Sequence, residues 1–172
     1  NKRRDEIKYY KIKFKEGYKK EYWFNKDRKT ADKRIEEIKV KGGESVFDTV
    51  AYTVFGPVTY DASFSTSLTN GKSIATRWLA HLPSNELLMW HYLDRAKNYN
   101  DYTNALQYFT VPSQNMVFAS KSGDIAIRQQ GIFPLRWNRQ GAYVMPGFDS
   151  SYMWQGMIPA SAMPASVNPE RG

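Results

Sequence analysis

The sequence contains no cysteine in 172 residues. Disulfides and thiolate-bound zinc are thereby excluded, and cysteine usage carries no information about redox compartment. Two histidines, His81 and His91, are too few for a histidine-rich metal site. No acidic loop has the spacing of an EF-hand. No uninterrupted apolar run approaches the roughly 18 residues that a spanning helix needs, so a membrane partner is not expected. No signal peptide is recognisable, and a start at Asn1 without Met leads to the expectation of an excised or processed piece. Several enzyme signatures are also missing. There is no G-x-x-x-x-G-K-[ST] phosphate loop, no G-x-G-x-x-G turn, no G-x-S-x-G nucleophile elbow and no H-E-x-x-H pair. Serines are many, but neither histidine is placed by sequence as their base. Asp and Glu are scattered, with no spacing that singles out a catalytic pair.

What is present is aromatic and basic. Aromatic residues make up 15% of the chain, which supplies a core and excludes intrinsic disorder on hydrophobicity. The length fits one domain. The net charge of +8 sits at one end: residues 1–41 hold 16 Lys/Arg and 8 Asp/Glu, and the remaining nine basic and nine acidic residues cancel. Lysines interleaved with aromatics fit a single-strand-binding surface. They equally fit the solvent face of antiparallel or edge strands, where lysine discourages aggregation, and this second reading is carried forward with no nucleic-acid partner expected.

Periodicity divides the chain into four stretches. Residues 1–83 read mainly as strands. EIKYYKIKFKEG alternates in part, with Ile7 and Tyr9 set against Lys8, then Ile12 and Phe14 against Lys11, Lys13 and Lys15, and Gly17 turns it. EYWF continues this pattern, and RIEEIKVKGG reads as a strand closed by Gly42-Gly43. SVFDTVAYTVFGPV is a strand stopped by Gly56-Pro57, and Asn70-Gly71 marks a tight turn. SIATRWLA reads as a mostly buried strand, with Arg77 paired inside or at its edge. Residues 84–109 read as a helical pair. Ser84 is placed to cap the first helix and Glu86 lies in its first turn. Met89, Tyr92, Leu93 and Ala96 form a stripe that Leu88 and Trp90 widen. The second helix starts at Asn100 or Asp101, and Tyr102, Ala105, Leu106 and Phe109 recur at helical spacing. Residues 110–130 form a hairpin turned at Lys121-Ser122-Gly123. Residues 131–172 are an irregular, aromatic-rich wrapping tail.

The stretch from Val111 to Trp137 is dense in polar and turn residues, and its motifs extend to its neighbours in a fixed order. IKVKGG (38–43) is followed by Phe55-Gly56-Pro57-Val58, Ala75-Thr76-Arg77-Trp78, and Ala96-Lys97-Asn98 with Asp101-Tyr102. Then come Pro112-Ser113-Gln114-Asn115, Gly123-Asp124-Ile125 and Gly131-Ile132-Phe133-Pro134-Leu135-Arg136. Pro146-Gly147, Trp154-Gln155-Gly156, Ile158-Pro159, Pro164 and Asn168-Pro169-Glu170-Arg171-Gly172 close the series. Together these resemble the penicillin amidase (penicillin acylase) family of N-terminal-nucleophile amidohydrolases. One departure stands out: Val54-Phe55 occupies the place of the family's arginine-histidine pair.

The resemblance implies an α+β fold, mostly antiparallel sheet with a helical pair, part of an αββα arrangement of two stacked sheets between helical layers. It implies a parent that cleaves a linear carbon–nitrogen amide bond of an acyl amide, a β-lactam acyl side chain or an acyl-homoserine lactone. In the family, autoproteolysis exposes a serine as first residue of the large chain, its α-amino group acts as base, and oxyanion donors include an Asn after the Asn-Pro-x-x-Gly segment. Asn1 has neither hydroxyl nor thiol, and Gly172 precedes the position of that Asn. No catalytic residue is therefore expected within 1–172, and the isolated piece should be inert. Ile125 stands where relatives place an apolar residue lining the acyl pocket; the alternative is an ordinary core isoleucine. Asn115 either orients a nearby loop or satisfies buried backbone, with the structural role favoured. No cofactor is expected, although calcium occurs in the family without an assignable ligand set here. Expected partners are a small acyl amide and the remainder of the parent's two chains, in a periplasmic or extracellular setting. Self-association of the isolated piece follows if its strand edges and aromatic tail lose their cover. Two rival readings remain: a basic aromatic module binding nucleic acid or an anionic surface, and a catalytically dead relative acting in interactions.

Overall fold

The computed structural model describes residues 6–15, 18–61 and 72–170. The turns expected at Gly17 and Asn70-Gly71, and the closing Arg171-Gly172, lie outside the described residues. The strands are β1 (Ile7–Ile12), β2 (Phe14–Lys15), β3 (Tyr18–Phe24), β4 (Asp27–Thr30), β5 (Asp32–Ile38), β6 (Val46–Thr53), β7 (Gly56–Tyr60) and β8 (Ser73–Trp78). Two helices follow, α1 (Glu86–Leu93) and α2 (Tyr99–Leu106), then β9 (Gln114–Ala119), β10 (Ile125–Gln130), β11 (Met145–Pro146) and β12 (Ala165–Val167). The expected α+β class with mostly antiparallel pairing is what forms. The chain divides into two compact units.

The first unit comprises Ile7–Trp78 and Trp137–Met153. Its six-stranded sheet runs β11-β1-β8-β7-β6-β5 and is antiparallel except for the short β1–β11 pairing, and β2-β3-β4 form a second sheet. The core gathers Tyr10, Ile12, Tyr22, Phe55, Ala75 and Met145. Tyr10 stacks on Phe55 at 4.3 Å between ring centroids. At the other edge β5 is exposed along its whole length, so the β5–β6 hairpin stands out as an arm carrying Ile35 and Phe47 in solvent.

Two expectations in this unit are corrected. Lys8 does not face solvent: it is buried, and its Nζ donates to the Gln140 carbonyl at 3.1 Å. The period of two counted back from Ile12 puts Tyr10 and Lys8 on the inner face and Tyr9 outside. Ile7 is a poor anchor for the register because two tyrosines follow Lys8, and either can be the inward one. Gln140 in turn donates from Nε2 to the Tyr152 and Met153 carbonyls at 2.8 and 3.1 Å, which binds the tail segment over the buried lysine. The second correction concerns Gly56-Pro57, which opens β7 instead of ending a strand. The turn falls at Val54-Phe55, and Gly56 begins the return at φ +102°, a conformation that favours glycine.

The second unit contains Glu6, Leu79–Arg136 and residues 154–170. Met89, Tyr102, Leu106 and Phe109 form its core, with Met116 and Phe118 of β9 packed against it. The α2 stripe is buried as its spacing predicts. On α1 only Met89 is fully buried; Leu93 and Ala96 pack at the margin, whereas Trp90 and Tyr92 are exposed. An eight-residue helix has room for only a narrow inward face. The caps also differ from expectation. Asn85 precedes α1, and the Ser84 hydroxyl donates instead to Glu86 Oε2 at 2.6 Å. Asn98 caps α2, its Oδ1 accepting from the Asp101 N–H at 2.9 Å, so the helix begins at Tyr99.

Glu86 explains why Ser84 is diverted. Its Oε1 accepts from the Val111 N–H at 3.1 Å and from Thr110 through both hydroxyl and N–H, which ties the helix start to the chain leaving the helical pair. Partial burial works to raise its pKa, but the Ser84, Thr110 and Val111 donors outweigh it and hold the carboxyl at about 2. A depressed folded pKa means that the stability from Glu86 is full above pH 4.5, its ordinary value, and is lost as pH falls toward 2. Glu86→Gln should therefore lower the melting temperature at neutral pH and flatten its fall between pH 4.5 and 2. Equal pH slopes for the two proteins would refute this account.

Candidate functional site

The hairpin β9–β10 is the element on which the sequence places its one candidate binding residue. Its register pairs Ile125 with Ala119, Ile127 with Val117 and Gln129 with Asn115, and β12 adds a third strand with Ser166 opposite Ile127. Alternation then separates two faces. Met116 and Phe118 pack against the helical core, and Ala126 and Gln130 beside them are buried. Val117, Ile125 and Ile127 occupy the opposite face and are 72%, 41% and 46% exposed. An exposed β-branched trio on one face of a three-stranded sheet is an apolar wall without a cover among the described residues.

The wall is rigidly held where Ile125 begins the strand. The Ile125 N–H donates to Asn168 Oδ1 at 2.8 Å, and the Asn168 N–H donates to the Ile125 carbonyl at 2.9 Å. Asn168 also donates from Nδ2 to Asp124 Oδ1 at 3.0 Å. The Ser122 hydroxyl donates to Asp124 Oδ2 at 2.7 Å, and Ser120 reaches the same oxygen at 3.2 Å. These donors, Ser122 first, then Asn168 and Ser120, hold the Asp124 carboxyl below its ordinary range. Asn168 takes a left-handed backbone, φ 45°, which asparagine tolerates better than most residues. In the sequence Asn168 figures only within the closing pattern; the signal present is the Asn-Pro turn dipeptide.

Asn115 is exposed on the same face as Ile125. With Ile127, Gln129, Pro164, Ala165 and Ser166 it lines a shallow hollow of about 260 Å3. Ile125 does not line that hollow but stands two residues along the strand from Ile127. At the inner end of the hairpin the buried Glu6 accepts from the Ser113 N–H at 2.5 Å, and Gln130 Nε2 donates to the Phe109 carbonyl at 3.1 Å. His91 is exposed on α1, with Arg95 Nη1 3.2 Å from its Nδ1. Among the described residues no group of three His, Cys, Asp or Glu side chains gathers as a metal site, so no residue here is assigned to a calcium ion.

The apolar face of the hairpin acquires a context from comparison with known proteins. The family model described as penicillin amidase matches residues 1–172. The chain belongs to the penicillin amidase family. It is 32% identical over 133 residues to an acyl-homoserine lactone acylase (QuiP) of Pseudomonas syringae pv. tomato, covering 77% of this chain and 16% of that protein. The same-named acylase of Pseudomonas fluorescens is 29% identical over 139 residues, covering 81% of this chain and 17% of that one. Among solved structures, a thermostable penicillin G acylase from Alcaligenes faecalis superposes with a TM-score of 0.78 at 24% identity, over 96% of this chain and 29% of its own. That likeness shows a common fold. The chain thus spans about a sixth of the curated penicillin amidase relatives it matches.

Proposed function

We propose that the intact protein carrying this chain is an amidohydrolase that cleaves a linear carbon–nitrogen amide bond in an acyl amide, a β-lactam acyl side chain or an N-acyl-homoserine lactone. The observation that carries this reading is family membership over all 172 residues. The nucleophile is an N-terminal serine outside residues 1–172, with its own α-amino group as base. Export to the periplasm or the extracellular space, after processing into two chains, belongs to the same reading and rests on the family pattern alone. The intact protein should release free acid from an N-acyl-homoserine lactone or a phenylacetyl amide, whereas purified 1–172 should show no turnover above buffer. Failure of the intact, processed protein on both substrate types would remove the proposal.

Within it, Ile125 is a wall of the acyl pocket, supported by its exposed apolar face and its clamped backbone. Substituting Ile125→Phe narrows that wall without disturbing a core. We expect kcat/KM for bulky or long acyl groups to fall about tenfold relative to short ones, the scale on which an apolar pocket discriminates. The melting temperature should stay nearly unchanged because Ile125 is 41% exposed. Equal losses for every acyl group would show that Ile125 acts only in the packing of the hairpin.

A further inference from the structure

A hollow of about 590 Å3 opens on the unit built from Ile7–Trp78 and Trp137–Met153, lined by Lys11, Ile12, Lys13, Trp23, Asn25 and Phe148. Its frame is fixed by hydrogen bonds. The Trp23 N–H donates to the Lys13 carbonyl at 3.0 Å, Asn25 N–H to the Phe148 carbonyl at 2.6 Å, and Gly147 N–H to the Lys11 carbonyl at 2.8 Å. Asn25 Oδ1 also accepts from the Ser150 N–H at 2.8 Å. Gly147 permits the last of the three backbone approaches, since a Cβ there would lie 2.7 Å from both the Lys11 carbonyl oxygen and Ile12 Cδ1. The walls are therefore set before any ligand arrives.

The lining chemistry is one-sided. Lys11 and Lys13 are both exposed and two residues apart, so they share a face about 6.6 Å apart along extended chain. The Arg28 guanidinium lies 4.9 Å from the Trp23 ring centroid and is partly offset by Glu21 at 4.0 Å. Phe148 is 39% exposed, an aromatic surface left to solvent. None of the described residues that line the hollow is a carboxylate. A hollow lined by two lysines and two aromatic residues suits a ligand with an anionic head and a flat apolar body.

We infer that this hollow binds a small aryl carboxylate, with its ring against Trp23 and Phe148 and its carboxylate toward the Lys11 and Lys13 ammonium groups. The volume lies in the range of small-molecule sites. Exposed ion pairs contribute little alone, so the ring contact and the two charges act together, and a dissociation constant on the order of 1 mM is expected.

The test is a ligand-observed NMR titration of the intact protein with naphthoate, set against naphthamide and acetate. Naphthoate should bind more tightly than either control and should weaken as salt rises. The double variant K11Q/K13Q should bind about threefold to tenfold more weakly. Trp23→Leu, which removes the ring and leaves both lysines, should weaken naphthoate and naphthamide alike. The proposed acyl pocket would also accept an aryl acid, so Ile125→Ala is the control that separates the sites. Binding kept in Ile125→Ala and weakened in K11Q/K13Q belongs to this hollow, whether or not the intact protein hydrolyses amides. Binding lost in Ile125→Ala and kept in both hollow variants, or naphthamide binding as tightly as naphthoate, overturns the inference.

Discussion

Replacing Phe55 by Ala should cost the first unit about 3–5 kcal/mol, the usual loss when a fully buried phenyl is removed. Phe55 is 0% exposed, stacks on Tyr10 at 4.3 Å and meets Phe24 edge-on at 5.8 Å. Its ring is thus shared by two other aromatics, and truncation removes a ring contact from each. Since native domains hold only about 5–15 kcal/mol, urea unfolding should show a large fall in midpoint. Phe55→His is the more informative change, because the family resemblance places a histidine at this position. The introduced imidazole would be buried among rings that cannot solvate a cation, so its folded pKa drops below about 6.5. The unfolded chain then takes up the proton first, and stability falls as pH drops below that value. Growing destabilisation from pH 8 to 5, relative to the parent, is the expected signature. A pH-independent loss would mean that the imidazole finds an acceptor or water at this site.

The departure at Val54-Phe55 is thereby given a physical account. In this chain the position is a core site, and Val54 and Phe55 carry the turn between β6 and β7. The Val54 N–H donates to the buried Tyr22 hydroxyl at 3.0 Å and the Phe55 N–H to Thr53 Oγ1 at 3.1 Å. The pair here serves packing.

Much of this fold is legible in the sequence because it rests on local patterns. The α2 stripe and the hairpin turned at Lys121-Ser122-Gly123 each depend on residues within one element. The failures come where a distant group decides the matter. Lys8 is inward because Gln140, 132 residues away, offers it a carbonyl. Ser84 does not cap α1 because Glu86 recruits its hydroxyl while reaching Thr110 and Val111. The candidate site divides in the same way. Ile125 is singled out in the sequence only by the family resemblance, and the Asn168 clamp on it spans 43 residues and has no local period to announce it. Val117 and Ile127 escape notice because a strand pattern does not say which face will be covered.

The second large effect is expected at Gly131, where the hairpin leaves β10. Gly131 has φ +135°, outside the range that L side chains adopt readily, and a Cβ there would lie 2.6 Å from Ser113 Oγ and 2.8 Å from both Ser113 Cβ and Cα. Backbone strain costs about 1–3 kcal/mol and overpacking about as much again, so Gly131→Ala should lose about 2–6 kcal/mol. Ser113 has little freedom to retreat. It is buried, and its N–H is held by Glu6 Oε1 at 2.5 Å. Beside it, Ile132 N–H donates to the Thr110 carbonyl at 2.9 Å, so the exit from the hairpin is pinned on both strands. A double variant separates the two costs. Adding Ser113→Gly to Gly131→Ala removes the clash with the serine side chain. The crowding against the main chain of residue 113 and the strained φ both remain. Partial recovery of the unfolding midpoint is therefore expected, with the remainder due to backbone. Full recovery would assign the whole loss to the side-chain clash, and no recovery would assign it to the backbone alone.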